Sequence, residues 1–141
     1  MAKRRRTDVT AGQWTRLTGA ARAVRRRAYA PYSGFKVGAA LLTHDGQIVS
    51  GCNVENVSFG LTICAERGAI MGAVARGKRR FRALVICSGS GVGPCGACRQ
   101  VLAEFSPQMR VRLVRPRGED FTESTIAELL PGRFDKSTLS D

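Results

Sequence analysis

Two short cysteine stretches constrain this chain more than any other feature: Ile63-Cys64-Ala65-Glu66-Arg67 and Pro94-Cys95-Gly96-Ala97-Cys98-Arg99-Gln100. Cys95 and Cys98 form a C-x-x-C pair, a spacing that presents two thiolates to one metal ion. Cys64 is distant in sequence, so a site shared with it has to be made by folding. Three thiolates with no fourth protein ligand describe an open zinc site, with one position left for water. Glu66 stands two residues past a proposed ligand, on what reads as the first turn of a helix. Acidic residues are favoured in the first turn of any helix. Beside a metal site, Glu66 has a task as well: to accept the water's proton and pass it to a leaving group.

The segments around these stretches alternate between helix and strand patterns. Thr10 and Gln13 fit a capping box that opens a first helix, and Trp14, Leu17, Ala21, Val24 and Ala28 then fall at spacings of three and four. Phe35 to Leu42 and Gln47 to Gly51 read as two strands joined by an Asp45-Gly46 turn, an antiparallel hairpin. A second helix begins near Ala65, with Ala69, Ile70, Ala73 and Val74 on its buried face and Gly77 as its stop. Phe81 to Cys87 is apolar enough to be a strand buried on both faces. After the glycine-rich loop Ser88 to Pro94, a third helix starts near Cys95 and turns Val101, Leu102 and Phe105 inward. Arg110 to Val114 alternates basic and apolar residues, as a strand with one exposed face does. Phe121-Thr122 reads as a short edge strand, and Thr125 to Leu130 as a last short helix opened by Thr125 and Glu128. This pattern predicts an α/β fold, a three-layer αβα sandwich around a mixed sheet. One domain over residues 10–141 follows a basic, flexible arm over residues 1–9.

With 141 residues the chain is long enough to build a core without disulfides. No stretch has the apolar length of a membrane span, and no signal-peptide pattern opens the chain. A soluble, cytoplasmic protein is the expectation, so the five cysteines read as thiols. Cys52 and Cys87 lie in apolar runs and read as buried and inert. His44, the only histidine, sits beside a turn and receives no role. The formal net charge is +12, and residues 1–27 hold nine basic residues against Asp8. Nucleic acid is not the expected partner, because aromatic stacking platforms are scarce near these bases.

Two of the three cysteines fall at helix starts. Free N–H groups and the positive dipole end there draw negative charge off the sulfurs. Arg67 can do the same through a charge-assisted bond to a thiolate.

C-A-E-R followed by P-C-G-A-C-R-Q resembles the signature of zinc-dependent cytidine deaminases, a class known to include a cysteine-only zinc variant and a non-ligand glutamate. The resemblance extends over Pro31 to Ala39, Cys52 to Asn56 and Leu129 to Phe134. It implies a mixed five-stranded sheet, Zn2+ on Cys64, Cys95 and Cys98, and Glu66 as the proton shuttle. It implies further that Asn53 and Glu55 hold the ribose 3′-hydroxyl, that Phe35 packs on the pyrimidine, and that Phe59 belongs to the substrate site. Phe134 would complete a neighbouring subunit's site in a homotetramer. The expected reaction is hydrolysis of free cytidine and 2′-deoxycytidine to the uridines and ammonia, as in pyrimidine salvage. This chain departs from the pattern at Phe59, where many members carry tyrosine, at Gly68, where threonine is common, and in its basic N-terminus.

Four other readings have distinct signatures. An aminohydrolase for a modified cytosine nucleoside or antibiotic would share the fold, but Asn53 and Glu55 favour an ordinary ribose. A nucleic-acid-associated cytosine deaminase would use the basic arm and leave the 3′-oxygen free. A structural zinc module would need a fourth protein ligand, and a redox C-x-x-C protein has no use for Cys64 or Glu66.

Overall fold

A computed structural model describes residues 8–139. The arm expected over residues 1–9 therefore lies outside the described residues except for Asp8 and Val9. Five strands form one sheet in the order β2-β1-β3-β4-β5: β1 Val37–Thr43, β2 Ile48–Cys52, β3 Phe81–Ser88, β4 Arg110–Val114 and β5 Phe121–Thr125. Only β3 and β4 run parallel; the other three pairings are antiparallel. The sheet is mixed and five-stranded, as expected.

The strands' two-residue period divides the core between the faces. Ala40, Leu42, Ala83, Val85 and Cys87 meet Trp14, Leu17 and Ala21 of α1 (Ala11–Arg25). Ala39, Leu41, Leu84 and Ile86 face the other way, toward α2 (Ala65–Ala75) and α3 (Gly96–Phe105), where Ala65, Ala69, Ile70 and Leu102 complete the core. The result is a layered αβα arrangement. Helix α1 begins with a complete capping box: Gln13 N donates to Thr10 Oγ1 and Thr10 N donates to Gln13 Oε1. A second box on Thr125 and Glu128 opens α4 (Ile126–Leu129).

Helix α2 lies unusually close to the sheet. A Cβ on Gly51 of β2 would sit 2.5 Å from Ala69 N and 2.7 Å from Ala65 O. A Cβ on Gly38 of β1 would sit 2.1 Å from Ala21 O on the opposite face. Both glycines are there because backbone approaches backbone with no room for a side chain. Across β4, the Arg112 guanidinium lies 4.0 Å from the ring centres of both Trp14 and Phe121 and pairs with Glu123 at 3.0 Å. It joins α1 to the edge strand.

Several expectations are corrected. Strand β1 starts at Val37 rather than Phe35, because the Asn53 side chain takes the place of ladder partners there: Val37 N donates to its Oδ1 and its Nδ2 donates to Phe35 O, both at 2.8 Å. Strand β5 runs a full five residues, its register with β4 held by Arg110 and Arg112 on Glu123. Val74 is on the solvent side of α2, one position past Ala73, which takes the core site. Val24 and Cys52 are only half-buried. Among the described residues no helix is long and apolar enough to cross a membrane.

A glycine at a close backbone approach and one on an exposed helix surface make opposite predictions for replacement. Gly51→Ala forces α2 off the sheet and is expected to destabilise the protein by about 3 kcal/mol, the upper part of the overpacking range. Gly19→Ala, in α1 with nothing within 4 Å of the added methyl, is expected to stabilise it by about 0.5–1 kcal/mol. Urea unfolding of the two variants beside the parent chain measures both.

Candidate active site

The parallel β3–β4 pair fixes where a site can form. Open α/β sheets carry their clefts at the carboxyl ends of such strands. Strand β3 ends at Ser88, and the loop that follows delivers Cys95 to the start of α3. Cys64 arrives at the same place through a different device. Val54 and Ile63 exchange backbone bonds, Val54 N to Ile63 O at 2.9 Å and Ile63 N to Val54 O at 3.0 Å. Tyr29 N donates to Asn53 O at 3.0 Å, and Glu55 N to Tyr29 O at 2.8 Å. The chain on either side of Cys64 is thus fixed before α2 begins.

Cys64 and Cys95 are the N-cap residues of α2 and α3, both extended, and neither uses its side chain to cap. The position that Ser, Thr or Asp would fill to bond the helix end holds a sulfur aimed elsewhere. Cys98, one turn into α3, is fully buried. The three Sγ atoms all lie within 4.8 Å of one another, and Cys64 and Cys95 are 3.9 Å apart. Tetrahedral zinc with Zn–S bonds near 2.3 Å places sulfurs roughly 3.8 Å apart. The donor set therefore fits zinc in chemistry and in spacing, and the first expected ligand set is assembled as one cluster.

Charge around the sulfurs is shared unequally. The Cys64 thiol is lowered to about 5, first by its hydrogen bond with Cys98, then by Arg67 and Cys95. Cys98 is pushed upward by that same bond, by burial and by Glu66. The two thiols are thus pushed in opposite directions by one shared contact, and a metal ion would bind both sulfurs as thiolates. Arg67 Nη2 donates to Cys64 Sγ at 3.5 Å and to Thr62 O at 3.4 Å. Its Nε is buried with no protein partner. Glu66 is only 4% exposed. Burial raises its carboxyl above the ordinary value, the nearby Cys64 thiolate adds to this, and a hydrogen bond with Cys98 opposes it.

A cavity of about 470 Å³ opens onto this cluster. Phe35, Asn53, Cys64, Glu66, Cys95 and Arg99 are in its wall, with Val92 to Pro94 as its rim. The volume is within the range of small-molecule sites. Glu55, Phe59 and Phe134 stand outside this wall. Glu55 accepts from Tyr32 N at 2.9 Å, from Ser33 N at 3.1 Å and from the Ser33 hydroxyl, and these bonds, led by the hydroxyl, lower its pKa. Phe59 is 73% exposed and meets Tyr32 edge-on at 5.9 Å. Phe134 is also exposed, and its carbonyl accepts from Gln100 Nε2 at 2.8 Å. The Tyr32-Ser33 clamp and Arg99 received no role from sequence. Arg99 follows Cys98 directly, which was the available signal; nothing in the sequence pairs Ser33 with Glu55.

The family described as the cytidine and deoxycytidylate deaminase zinc-binding region matches residues 13–114. A cytidine deaminase of Sporosarcina psychrophila is 49% identical over 128 residues, 89% of this chain and 93% of that one. A blasticidin-S deaminase of Bacillus cereus is 32% identical over 111 residues, 72% of this chain and 78% of that one. The crystal structure of a cytidine deaminase from Burkholderia pseudomallei superposes with a TM-score of 0.82 at 46% identity, covering 89% of this chain and all of the other. The matched span runs from α1 through β4 and contains all three clustered cysteines and Glu66. On these grounds the chain belongs to the zinc-binding cytidine and deoxycytidylate deaminase family.

Proposed function

We propose that this protein is a zinc enzyme that hydrolyses the C4 amino group of free cytidine and 2′-deoxycytidine, giving the uridines and ammonia. The observation that carries this reading is the buried Glu66 beside three clustered thiols, with Glu66, Cys64 and Cys95 in the wall of a nucleoside-sized cavity. Zinc held by Cys64, Cys95 and Cys98 supplies a Lewis acid that eases the ionisation of water. Glu66 accepts the proton lost by the attacking water and returns it to the departing amino group at C4. A carboxyl whose proton affinity is raised by burial is suited to both transfers. Arg67 and the starts of α2 and α3 offset the negative charge of the thiolates, which would otherwise oppose that ionisation. Phe35, in the cavity wall, offers a face to the pyrimidine.

For the sugar, the reading assigns Asn53 and Glu55 to the 3′-hydroxyl. The polar atoms of both are already held, Asn53 by backbone groups and Glu55 by two backbone N–H groups and the Ser33 hydroxyl, which supports a preset geometry rather than an adaptable one. Each retains acceptor or donor capacity for one more partner. The family resemblance adds a homotetramer in which Phe134 reaches a neighbouring site. Supporting it are exposed apolar side chains, Val57 at 76%, Phe59 at 73% and Phe134 at 62%. Cytoplasmic pyrimidine salvage fits an enzyme whose ligands must stay reduced.

Three measurements test this. Glu66→Gln is expected to keep stoichiometric zinc and lose on the order of 10⁴-fold in kcat, the upper end for acid–base catalysis, because one group serves both proton transfers. Cys98→Ala is expected to lose zinc and activity together, read by metal analysis and ammonia release. Near-parent turnover in either variant would remove that residue from its role. A substrate panel decides the ribose assignment. Cytidine and 2′-deoxycytidine should react, while 3′-deoxycytidine should lose about 10- to 100-fold in kcat/KM, the loss of one hydrogen bond to a charged group. The loss is limited to that range because Asn53 and Glu55 keep their backbone partners when the hydroxyl is missing. An internal cytosine of an oligonucleotide that reacts as fast as cytidine would rule out the ribose clamp. Faster turnover of blasticidin S than of cytidine would favour the antibiotic reading.

A further inference from the structure

Arg99 and Gln100 follow the buried Cys98 directly on α3. Arg99 Nε donates to Pro94 O and Nη1 donates to Leu129 O, both at 2.8 Å. One planar guanidinium therefore joins the loop that carries Cys95 to the end of α4. A helix end leaves carbonyls without intrahelical partners, and Arg99 satisfies one of them. A side chain on Gly93 would come within 3.5 Å of Nη2, so the loop lies against the same guanidinium. Gln100 Nε2 donates to Phe134 O at 2.8 Å. Between these two anchors the chain turns at Gly132, φ +61°. Adjacent residues of the ligand-bearing helix thus fix the C-terminal segment at both of its ends. The ring held out by this arrangement is 62% exposed. An exposed aromatic on a surface turn needs no fixed backbone unless its position matters.

We propose that Arg99 and Gln100 are positioning residues that set the Leu129–Phe134 segment in register with the Cys95 loop, and that through Phe134 they govern substrate affinity rather than chemistry. The proposal rests on the deaminase reading above, with Phe134 as a wall of a nucleoside site. A movement of the loop and a movement of Phe134 are then one movement, because the same helix holds both.

The test uses zinc-loaded full-length protein carrying Gln100→Ala, Gln100→Glu, Gln100→Lys or Arg99→Lys. Each Gln100 change is also made in a Phe134→Ala background. KM and kcat for cytidine are measured, together with hydrogen exchange of the amides of Leu130 and of residues 132–135 without substrate. Gln100→Ala and Gln100→Glu should raise KM roughly three- to tenfold, the worth of one such hydrogen bond, with kcat and zinc content unchanged. Gln100→Lys keeps a donor and should restore the parent KM. Arg99→Lys cannot hold two carbonyls with one fork, so it should raise KM and quicken exchange at Leu130. In the Phe134→Ala background the Gln100 changes should add nothing, since residues acting through one another are not additive. A parent KM in both Gln100→Ala and Gln100→Glu, or an undiminished KM effect without the Phe134 ring, overturns the inference and leaves the deaminase reading standing. If the parent chain deaminates no nucleoside, it is the deaminase reading that fails. Exchange then decides the tether: unchanged protection in Gln100→Ala overturns it, and faster exchange upholds it.

Discussion

Three sulfurs within 4.8 Å of one another cannot all carry negative charge unless positive charge is brought to them. Most of the architecture around the site answers that requirement. Two sulfurs occupy helix N-caps, where unbonded N–H groups and the helix dipole favour an anion. Arg67 adds a formal charge against Cys64. A divalent ion bound there would take up most of the remaining charge, and the helix starts and Arg67 would moderate the excess that three thiolates leave.

The helices can meet this demand only if they are held firmly, and small residues do this. Gly51 and Gly38 let α2 and α1 rest on the sheet with backbone against backbone. Ala65 and Ala69 continue the close approach on α2. A helix packed at that distance cannot slide without collision, so Cys64 and Glu66 inherit a fixed position at its first turn. Helix α3 is held from its other side by the C-terminal segment, through Arg99 to Leu129 and Gln100 to Phe134.

The periphery of the cavity follows a different design. Asn53 and Glu55 are bonded to the backbone at and before the start of β1, Asn53 to Phe35 and Val37 and Glu55 to Tyr32 and Ser33. Side chains here do the work that strand pairing does elsewhere. Strand β1 starts late for this reason, and Phe35 is left in a non-strand position at the cavity wall. Phe59 and Phe134, outside the cavity wall, are exposed, as is Val57, and exposed apolar side chains of this size are of the kind that assemblies cover.

The sequence alone determined the order of elements, the capping boxes at Thr10 and Thr125, the doubly buried β3, and the identity of the metal-site residues. Each is a local or periodic signal: a cap needs residues three apart, a buried strand needs a continuous apolar run, and a C-x-x-C pair already lies on one helix turn. The joining of Cys64 to that pair was legible only through the resemblance of C-A-E-R with P-C-G-A-C-R-Q to the deaminase signature, because no spacing requires it. Tertiary structure decided what depends on partners distant along the chain. It set the start of β1 through Asn53 and the full length of β5 through Glu123. It also set the clamp of Ser33 on Glu55 and the reach of Arg99 and Gln100 to the C-terminal segment. No period or spacing encodes these contacts, because they join residues distant along the chain, and a side chain that bonds a backbone N–H or carbonyl, as Asn53, Glu55, Arg99 and Gln100 do, leaves no mark on the sequence of its partner. Every residue except proline offers the same donor and acceptor, so which of them is chosen is settled only when the chain is packed.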